Sequence, residues 1–325
     1  MMNFKRLLIT ENLDGTFTNQ IVESTTEDLP TNDLLIKVHY SSLNFKDALS
    51  ATGNKGVTRT YPHTPGIDAA GEIISSNSSE FKPGDKVIVT GHDLGMNTSG
   101  GFSEYISVPA HWAIPLPDGL SLHESMIIGT AGLTAAMCID KLQTIGVKSG
   151  KVIVSGATGG VGSMAIMMLN RLGYEPIAFS RKESSVEWLK ELGATEVIHS
   201  MAVNEKVLLK PLFSGGIDTV GGNILSNIIK QILPNGGVAS CGMALSPNFD
   251  ITVFPFILRG ISLLGVDSAE ATDSWKANLW SKLANEWKPE KLSEITKTVS
   301  LEELWPEIEK IKAGKQLGRV VVKLT

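Results

Sequence analysis

The residues whose types and spacing most plainly imply chemistry lie mid-chain, in the run Gly156-Ala157-Thr158-Gly159-Gly160-Val161-Gly162. They follow the apolar residues 151–155 and lead at once into residues 161–172, whose apolar spacing is helical. Glycine lets a chain turn tightly and lets its backbone approach a pyrophosphate. That anion then rests on the unpaired N–H groups and the positive end of the helix dipole. The spacing is G-x-x-G-x-x-G rather than the commoner G-x-G-x-x-G, and a glycine triplet alone would mean no more than a tight turn. Strand, triplet, helix and further strand in succession point to a dinucleotide. Gly156, Thr158, Gly159, Gly160, Val161 and Gly162 are therefore cofactor-binding candidates.

The end of the second strand, residues 176–179, selects the dinucleotide. An NAD site usually carries an acid there for the ribose hydroxyls, whereas this chain reads Ser180-Arg181-Lys182. A hydroxyl, a guanidinium and an ammonium suit a 2′-phosphate. One charge-assisted hydrogen bond contributes roughly 1.5–3 kcal/mol, enough for about a tenfold preference, so the expected cofactor is NADPH. Glu183 follows directly and would enter the site if the strand ended one residue later.

These residues need elements to hold them. Residues 34–40, 71–75 and 86–90 are short β-type runs in a Gly-, Pro-, Ser- and Thr-rich first third. Ser121 and Glu124 match a capping box that opens a helix towards Asp140. Strands are expected at 151–155, 176–179, 196–199, 217–220, 237–240 and 262–266, with helices at 161–172 and 184–192. This alternation predicts an α/β protein with a doubly wound parallel sheet. Beyond it come helices over 275–310, an extended segment near 295–299 and a last strand at 319–324.

Composition narrows the partners. With 325 residues, 42% of them hydrophobic, the chain should form about two domains. Its 34 acidic and 29 basic side chains are dispersed, so no basic block calls for a nucleic acid or membrane surface, and a small-molecule substrate is expected. The two cysteines, Cys138 and Cys241, are too few for a disulfide framework or a four-cysteine zinc lobe, which fits a reducing cytoplasm. No signal-peptide pattern and no apolar stretch of about 18 residues is evident, so no membrane span is expected.

The sequence also resembles a known family, the medium-chain dehydrogenase/reductases, and within it the zinc-free quinone oxidoreductase branch. The resemblance runs through residues 41–47 (SSLNFKD), 65–71 (PGIDAAG), 83–87 (PGDKV), 100–105 (GGFSEY), 129–135 (GTAGLTA), the glycine turn and 318–323 (GRVVVK). Residues 254–260 (FPFILRG) and 263–268 (LLGVDS) are similar to the acrylyl-CoA reductase-like subgroup. It implies a GroES-like β-domain at 1–122, completed by 271–325, and a Rossmann domain at 123–270, with the active site between them. The family's alcohol dehydrogenases hold zinc through a cysteine and a histidine where this chain has the Leu43-Asn44-Phe45 segment and Ile67, so the resemblance implies no metal. His63 lies nearby without a thiolate partner. His39, His92, His111, His123 and His199 follow no ligand spacing.

Further site residues come from the resemblance alone. Asn44 would be catalytic, donating to a developing enolate or anchoring the nicotinamide ribose, although an asparagine there also serves a backbone turn. Close relatives read Asn-Tyr-Lys-Asp at this motif. Phe45 here lacks the hydroxyl, which puts a tyrosine acid in doubt. Lys46 and Asp47 would order the site or form an exposed ion pair, and Asp68 would tie down backbone N–H groups. Phe45, Thr130, Gly132, Gly242, Met243, Ile257 and Leu258 would line the cofactor, the last two with backbone amide contacts, and Arg319 would reach back towards it. Lys55 and Arg59 are the cations available to the phosphates of a thioester substrate. The resemblance also implies a homodimer through residues 262–266.

The implied activity is NADPH-dependent hydride transfer to an activated double bond. The acceptor is acrylyl-CoA or a related enoyl thioester, or else a small quinone or enone. A non-catalytic NADPH-binding protein is the alternative from another class.

Overall fold

The computed structural model describes residues 1–201 and 205–325. The chain divides into two units, Met1–Thr130 with Ala269–Ala284 and Leu292–Thr325, and Ala131–Ser268 with Asn285–Lys291. These limits differ from those the resemblance implied. The first boundary falls at Thr130, just past a break in a helix, instead of at residue 122. Residues 285–291 join the second unit because Arg171 Nε donates to Glu286 O at 2.7 Å, its Nη1 pairs with Glu290 at 2.8 Å, and Lys291 Nζ reaches Glu191 O at 2.7 Å.

The first unit is built on a seven-stranded sheet. Its order is Thr296–Ser300, Arg319–Lys323, Leu34–Ser42, Asp68–Ser76, Lys86–Thr90 and Ala113–Pro115, with Tyr105–Val108 also paired to Leu34–Ser42. All pairs are antiparallel except Thr296–Ser300 with Arg319–Lys323. Alternating apolar residues such as Leu34, Ile36 and Val38 point into one core. A separate hairpin, Asn3–Glu11 with Phe17–Thr25, has no counterpart in the expected elements, because its second strand is polar and mostly exposed. The capping box at Ser121 and Glu124 forms as expected, with Ser121 N donating to Glu124 Oε2 at 3.0 Å and Glu124 N to Ser121 Oγ at 3.1 Å.

That cap opens the helix Leu122–Thr144, which is broken at Gly129, where φ is 50° and ψ is −160°. By length and composition this helix could cross a membrane, contrary to the expectation of no such stretch, but 78% of its apolar window is buried inside the protein. The reading for uninterrupted apolar residues missed it because small and hydroxyl residues punctuate the run.

The second unit is a six-stranded, all-parallel sheet in the order Glu196–Ile198, Glu175–Phe179, Lys151–Ser155, Phe213–Asp218, Ile232–Ser240 and Ser262–Gly265. In chain order this is 3-2-1-4-5-6, the doubly wound Rossmann arrangement. Helices Gly160–Arg171, Val186–Glu191, Gly222–Ile229 and Phe254–Arg259 join the strands. The fourth strand lies earlier than the expected 217–220. Gly215 and Gly216 belong to it, paired on both sides, and a Cβ on Gly216 would come within 2.9 Å of Ile228.

Candidate active site

In the second unit the glycine run makes a tight strand-to-helix turn. Gly156 leaves the strand Lys151–Ser155 with φ 60°, and a Cβ there would lie 2.2 Å from Thr219 Oγ1. Gly159 caps the helix Gly160–Arg171, whose first amides, including those of Gly160, Val161 and Gly162, have no intrahelical acceptor. A Cβ on Gly162 would sit 2.4 Å from Gly156 O, so the close approach of turn and helix requires glycine. Thr158 is buried in the turn. The cradle fits a pyrophosphate: main-chain donors at a helix N-terminus, on a turn whose glycines carry no side chains.

At the end of Glu175–Phe179 the three polar residues divide. Ser180 is buried, and its Oγ accepts Lys182 N at 3.1 Å and lies 3.2 Å from Ser185 Oγ. Arg181 is exposed and Lys182 partly so. Glu183 begins the short 3-10 turn Glu183–Ser185 and is also exposed.

Gly242 is packed so that a Cβ would meet Thr219 O at 2.3 Å, and Met243 is 67% exposed. Ile257 and Leu258 present their side chains outward from Phe254–Arg259. Ile257 N donates to Val253 O at 3.0 Å, so the amide contact expected of it is already satisfied within the helix. Cys241 is half-buried, its thiol donating to Asp218 O at 3.5 Å, and its hydrogen bond with Cys138 raises the Cys138 thiol well above the ordinary range.

The first unit gathers Asn44, Asp47, Asp68, Thr130 and Arg319 in one buried polar network. Asn44 N donates to Asp47 Oδ2 at 2.7 Å, and Ile67 N donates to Asp47 Oδ1 at 2.8 Å. Asn44 Nδ2 donates to Asp68 Oδ2 at 2.7 Å, with weaker approaches to Ser42 O and Oγ at 3.3 and 3.4 Å. Asp68 also accepts Ser42 Oγ at 2.5 Å, Thr130 N at 2.9 Å and Thr130 Oγ1 at 2.6 Å. It thus caps the helix segment that begins after Gly129, as an acid at a helix N-terminus should. Gly129 must be glycine: besides its positive φ, a Cβ would lie 2.6 Å from both Asp68 Oδ2 and Ser42 Oγ.

Two carboxyl groups this deep need a cation, and Arg319 supplies it. Its Nε donates to Ile127 O at 2.8 Å, its Nη1 to Leu43 O and Asn44 Oδ1 at 3.2 Å each, and its Nη2 to Ser42 Oγ at 2.8 Å. Burial lowers the guanidinium from its ordinary value, while Asp68 and Asp47 pull it back up. Burial, and then Asp68, push the Asp47 carboxyl up to about 7, against the amides that favour its ionised form.

This network bears on four of the candidates. Both ends of the Asn44 carboxamide are engaged inside the unit, Nδ2 by Asp68 and Oδ1 by Arg319. Asp47 is fully buried and forms no exposed ion pair. Thr130 gives its hydroxyl hydrogen to Asp68. Arg319 is 2% exposed and donates inward to Ile127 O, Leu43 O, Asn44 Oδ1 and Ser42 Oγ. Its role escaped sequence reasoning because its partners lie up to 277 residues away.

The other candidates lie apart from this network. Gly132 is buried in the helix beyond Thr130, whereas Phe45, first residue of the helix Phe45–Ala51, is 43% exposed. Lys55 pairs with Glu11 at 2.5 Å and stands 4.7 Å over the Tyr61 ring, so its charge is already matched. Arg59 is exposed. His63 is buried, with Nε2 bonded to Gly95 O at 2.9 Å. Among the described residues no group of three or more His, Cys, Asp and Glu side chains could hold a metal ion.

Comparison with known proteins places the chain. YhfP of Bacillus subtilis, which carries a quinone oxidoreductase name, is 44% identical over 305 residues, 92% of each chain. The chain belongs to the medium-chain dehydrogenase/reductases, in the zinc-free quinone oxidoreductase branch. Family profiles agree: an alcohol dehydrogenase GroES-like domain matches residues 30–118, and a domain described as zinc-binding dehydrogenase matches residues 160–285. The acrylyl-CoA reductase AcuI of Ruegeria pomeroyi is 38% identical over 300 residues, 91% of each chain. The crystal structure of YhfP with NAD bound matches all of both chains at 41% identity and a TM-score of 0.97. The yhdH oxidoreductase of Salmonella enterica, in complex with NADP, does so at 38% identity and a TM-score of 0.95. GroES-like and Rossmann units are thus the shared architecture of this medium-chain dehydrogenase/reductase.

Proposed function

We propose that the chain is an NADPH-dependent, zinc-independent oxidoreductase that reduces the activated double bond of acrylyl-CoA or a related enoyl thioester. The observation that carries this reading is the match to an acrylyl-CoA reductase along 91% of both chains. The glycine cradle and the Arg181-Lys182 strand end support NADPH as the cofactor. Bound NADPH supplies a hydride for the β-carbon of the acceptor, and one proton at the α-carbon completes the reduction. The amides of Gly160, Val161 and Gly162 bind the pyrophosphate, and Arg181 and Lys182 bind the 2′-phosphate. Gly242, Met243, Ile257 and Leu258 border the cofactor as apolar or small neighbours. Asn44 acts by holding the Leu43–Asp47 segment through Asp47, Asp68 and Arg319. Where family alcohol dehydrogenases place a cysteine and a histidine on zinc this chain has the Leu43-Asn44-Phe45 segment and Ile67, which offer neither ligand.

A small quinone or enone is the second reading, favoured by the name of YhfP. NADPH consumption followed by absorbance, with acrylyl-CoA and quinones side by side, separates the two. Turnover of the quinone alone rejects the thioester, and tight NADPH binding without turnover of either selects a non-catalytic nucleotide-binding protein. Ser262–Gly265 is an edge strand, and pairing of two such edges is the proposed homodimer contact. Sedimentation at micromolar concentration tests it, and a monomer there rejects it.

A further inference from the structure

Asp218 ends the fourth strand of the Rossmann sheet and is fully buried. Its carboxyl oxygens receive only donors. Ser155 Oγ donates to Oδ1 at 2.7 Å and Gly221 N to Oδ2 at 2.8 Å, and Val220 N and the Ser240 hydroxyl also donate. Its main-chain oxygen accepts Cys241 N at 2.9 Å. Ser155, Asp218 and Ser240 are the last residues of three adjacent strands, so one side chain ties together the carboxyl edge of the sheet at its centre.

The tie extends to the glycine turn. Ser155 Oγ also accepts Thr219 N at 2.9 Å, and Thr219 Oγ1 donates to Ser155 O at 3.0 Å. Thr219 Oγ1 is the atom that a Cβ on Gly156 would strike, and Thr219 O is the atom that one on Gly242 would strike. Thr219 is thus wedged between two loops that open the crevice where doubly wound sheets bind ligands. The wedge is held from beneath by Ser155 and by the Asp218 turn through Gly221, whose φ is 71°.

We infer that Asp218 is a positioning residue for the dinucleotide: by gathering Ser155, Val220, Gly221 and Ser240 around one carboxylate it fixes Thr219 and sets the shape of the Gly156 cradle. This rests on the NADPH reading given above. An aspartate is required because every partner is a donor. An asparagine of the same shape would aim its NH₂ at N–H groups that need an acceptor.

The test compares Asp218→Asn with wild type in two measurements. Cofactor-free protein is followed by amide hydrogen exchange, and NADPH and NADH binding are titrated separately. Exchange at Thr219 and Gly221 should accelerate at least about tenfold while the Lys151–Ser155 amides keep their protection, so the effect is local and not global melting. The Kd values for NADPH and NADH should rise by the same factor, about tenfold or more, because the 2′-phosphate is bound elsewhere. Ser155→Ala, a milder change that serves if Asp218→Asn does not fold, should raise both Kd values by a smaller common factor. A folded Asp218→Asn protein with both Kd values within about twofold of wild type overturns the inference, as does a rise for NADPH alone. Wild-type protein that binds neither dinucleotide overturns the cofactor reading as well, which the exchange measurement distinguishes from a failure at Asp218.

Discussion

Lys276 Nζ donates to His92 Nε2 at 3.1 Å, which makes the imidazole the acceptor of a buried ammonium. The same ammonium reaches Ala269 O at 2.8 Å and Thr90 O at 3.3 Å, so one lysine pins the start of the helix Asp273–Ala284 to the end of the strand Lys86–Thr90.

Acid should loosen this pin. Burial, then Lys276, hold His92 down at about 4; Asp273, 3.8 Å away, opposes them and His111 assists them. Because the folded pKa lies below the ordinary 6.5, the unfolded chain binds more protons between about pH 6.5 and 4, and stability falls as pH falls through that window. The contribution is at most about 3 kcal/mol. His92→Asn, which tolerates the left-handed φ of 54°, should flatten this part of the profile. Denaturant unfolding at about pH 7.5 and about pH 4.5 measures it, and identical pH slopes for the two proteins would refute it.

Removing the counter-cation of the Asp47 and Asp68 pair should be costly. Arg319→Leu leaves buried carboxyl groups uncompensated and is expected to lose about 3–5 kcal/mol of stability. Arg319→Lys should recover only part of that, since an ammonium cannot span Ile127 O, Leu43 O, Asn44 Oδ1 and Ser42 Oγ together. Chemical denaturation reads both, and a loss below about 1 kcal/mol for the leucine variant would mean that the pair needs no cation.

Cofactor choice should depend on one exposed side chain. Arg181→Ala is expected to weaken NADPH binding by about 1–3 kcal/mol and to leave NADH nearly unchanged. Titration with both dinucleotides checks it; equal losses would move the 2′-phosphate away from Arg181.

Lys55 and Arg59 should separate. Since Lys55 already pairs with Glu11, Lys55→Ala should leave KM for an acyl-CoA substrate unaltered. Arg59→Ala should raise it about two- to fivefold with kcat little changed, and a small quinone should ignore both substitutions. Steady-state kinetics decide, and a larger effect at Lys55 than at Arg59 reverses the assignment.

What could be read from sequence was what is local. The strand, glycine turn and helix at 151–172 were legible because Gly156 and Gly162 answer to neighbours within a few residues, and the cap at Ser121 and Glu124 for the same reason. The need for glycine at 129 was not legible, since nothing nearby in sequence reveals that Asp68 and Ser42 crowd its Cα. The hydrogen bonds of Asn44 to Asp68 and of Arg319 to Ser42 were not legible, because a motif carries residue types but not the direction they face. The hairpin that begins at Asn3 was hidden by the polarity of its second strand.

The place of Arg319 in the chain also bears on biosynthesis. Its hydrogen bond to Asn44 Oδ1 joins residues 275 apart, with the whole central Rossmann sheet translated between them. A nascent chain can therefore complete that sheet on the ribosome while Asp47 and Asp68 still await their guanidinium, so the unit begun first is finished last. Until then its sheet stays open between Thr296–Ser300 and Leu34–Ser42, at the position that Arg319–Lys323 will fill.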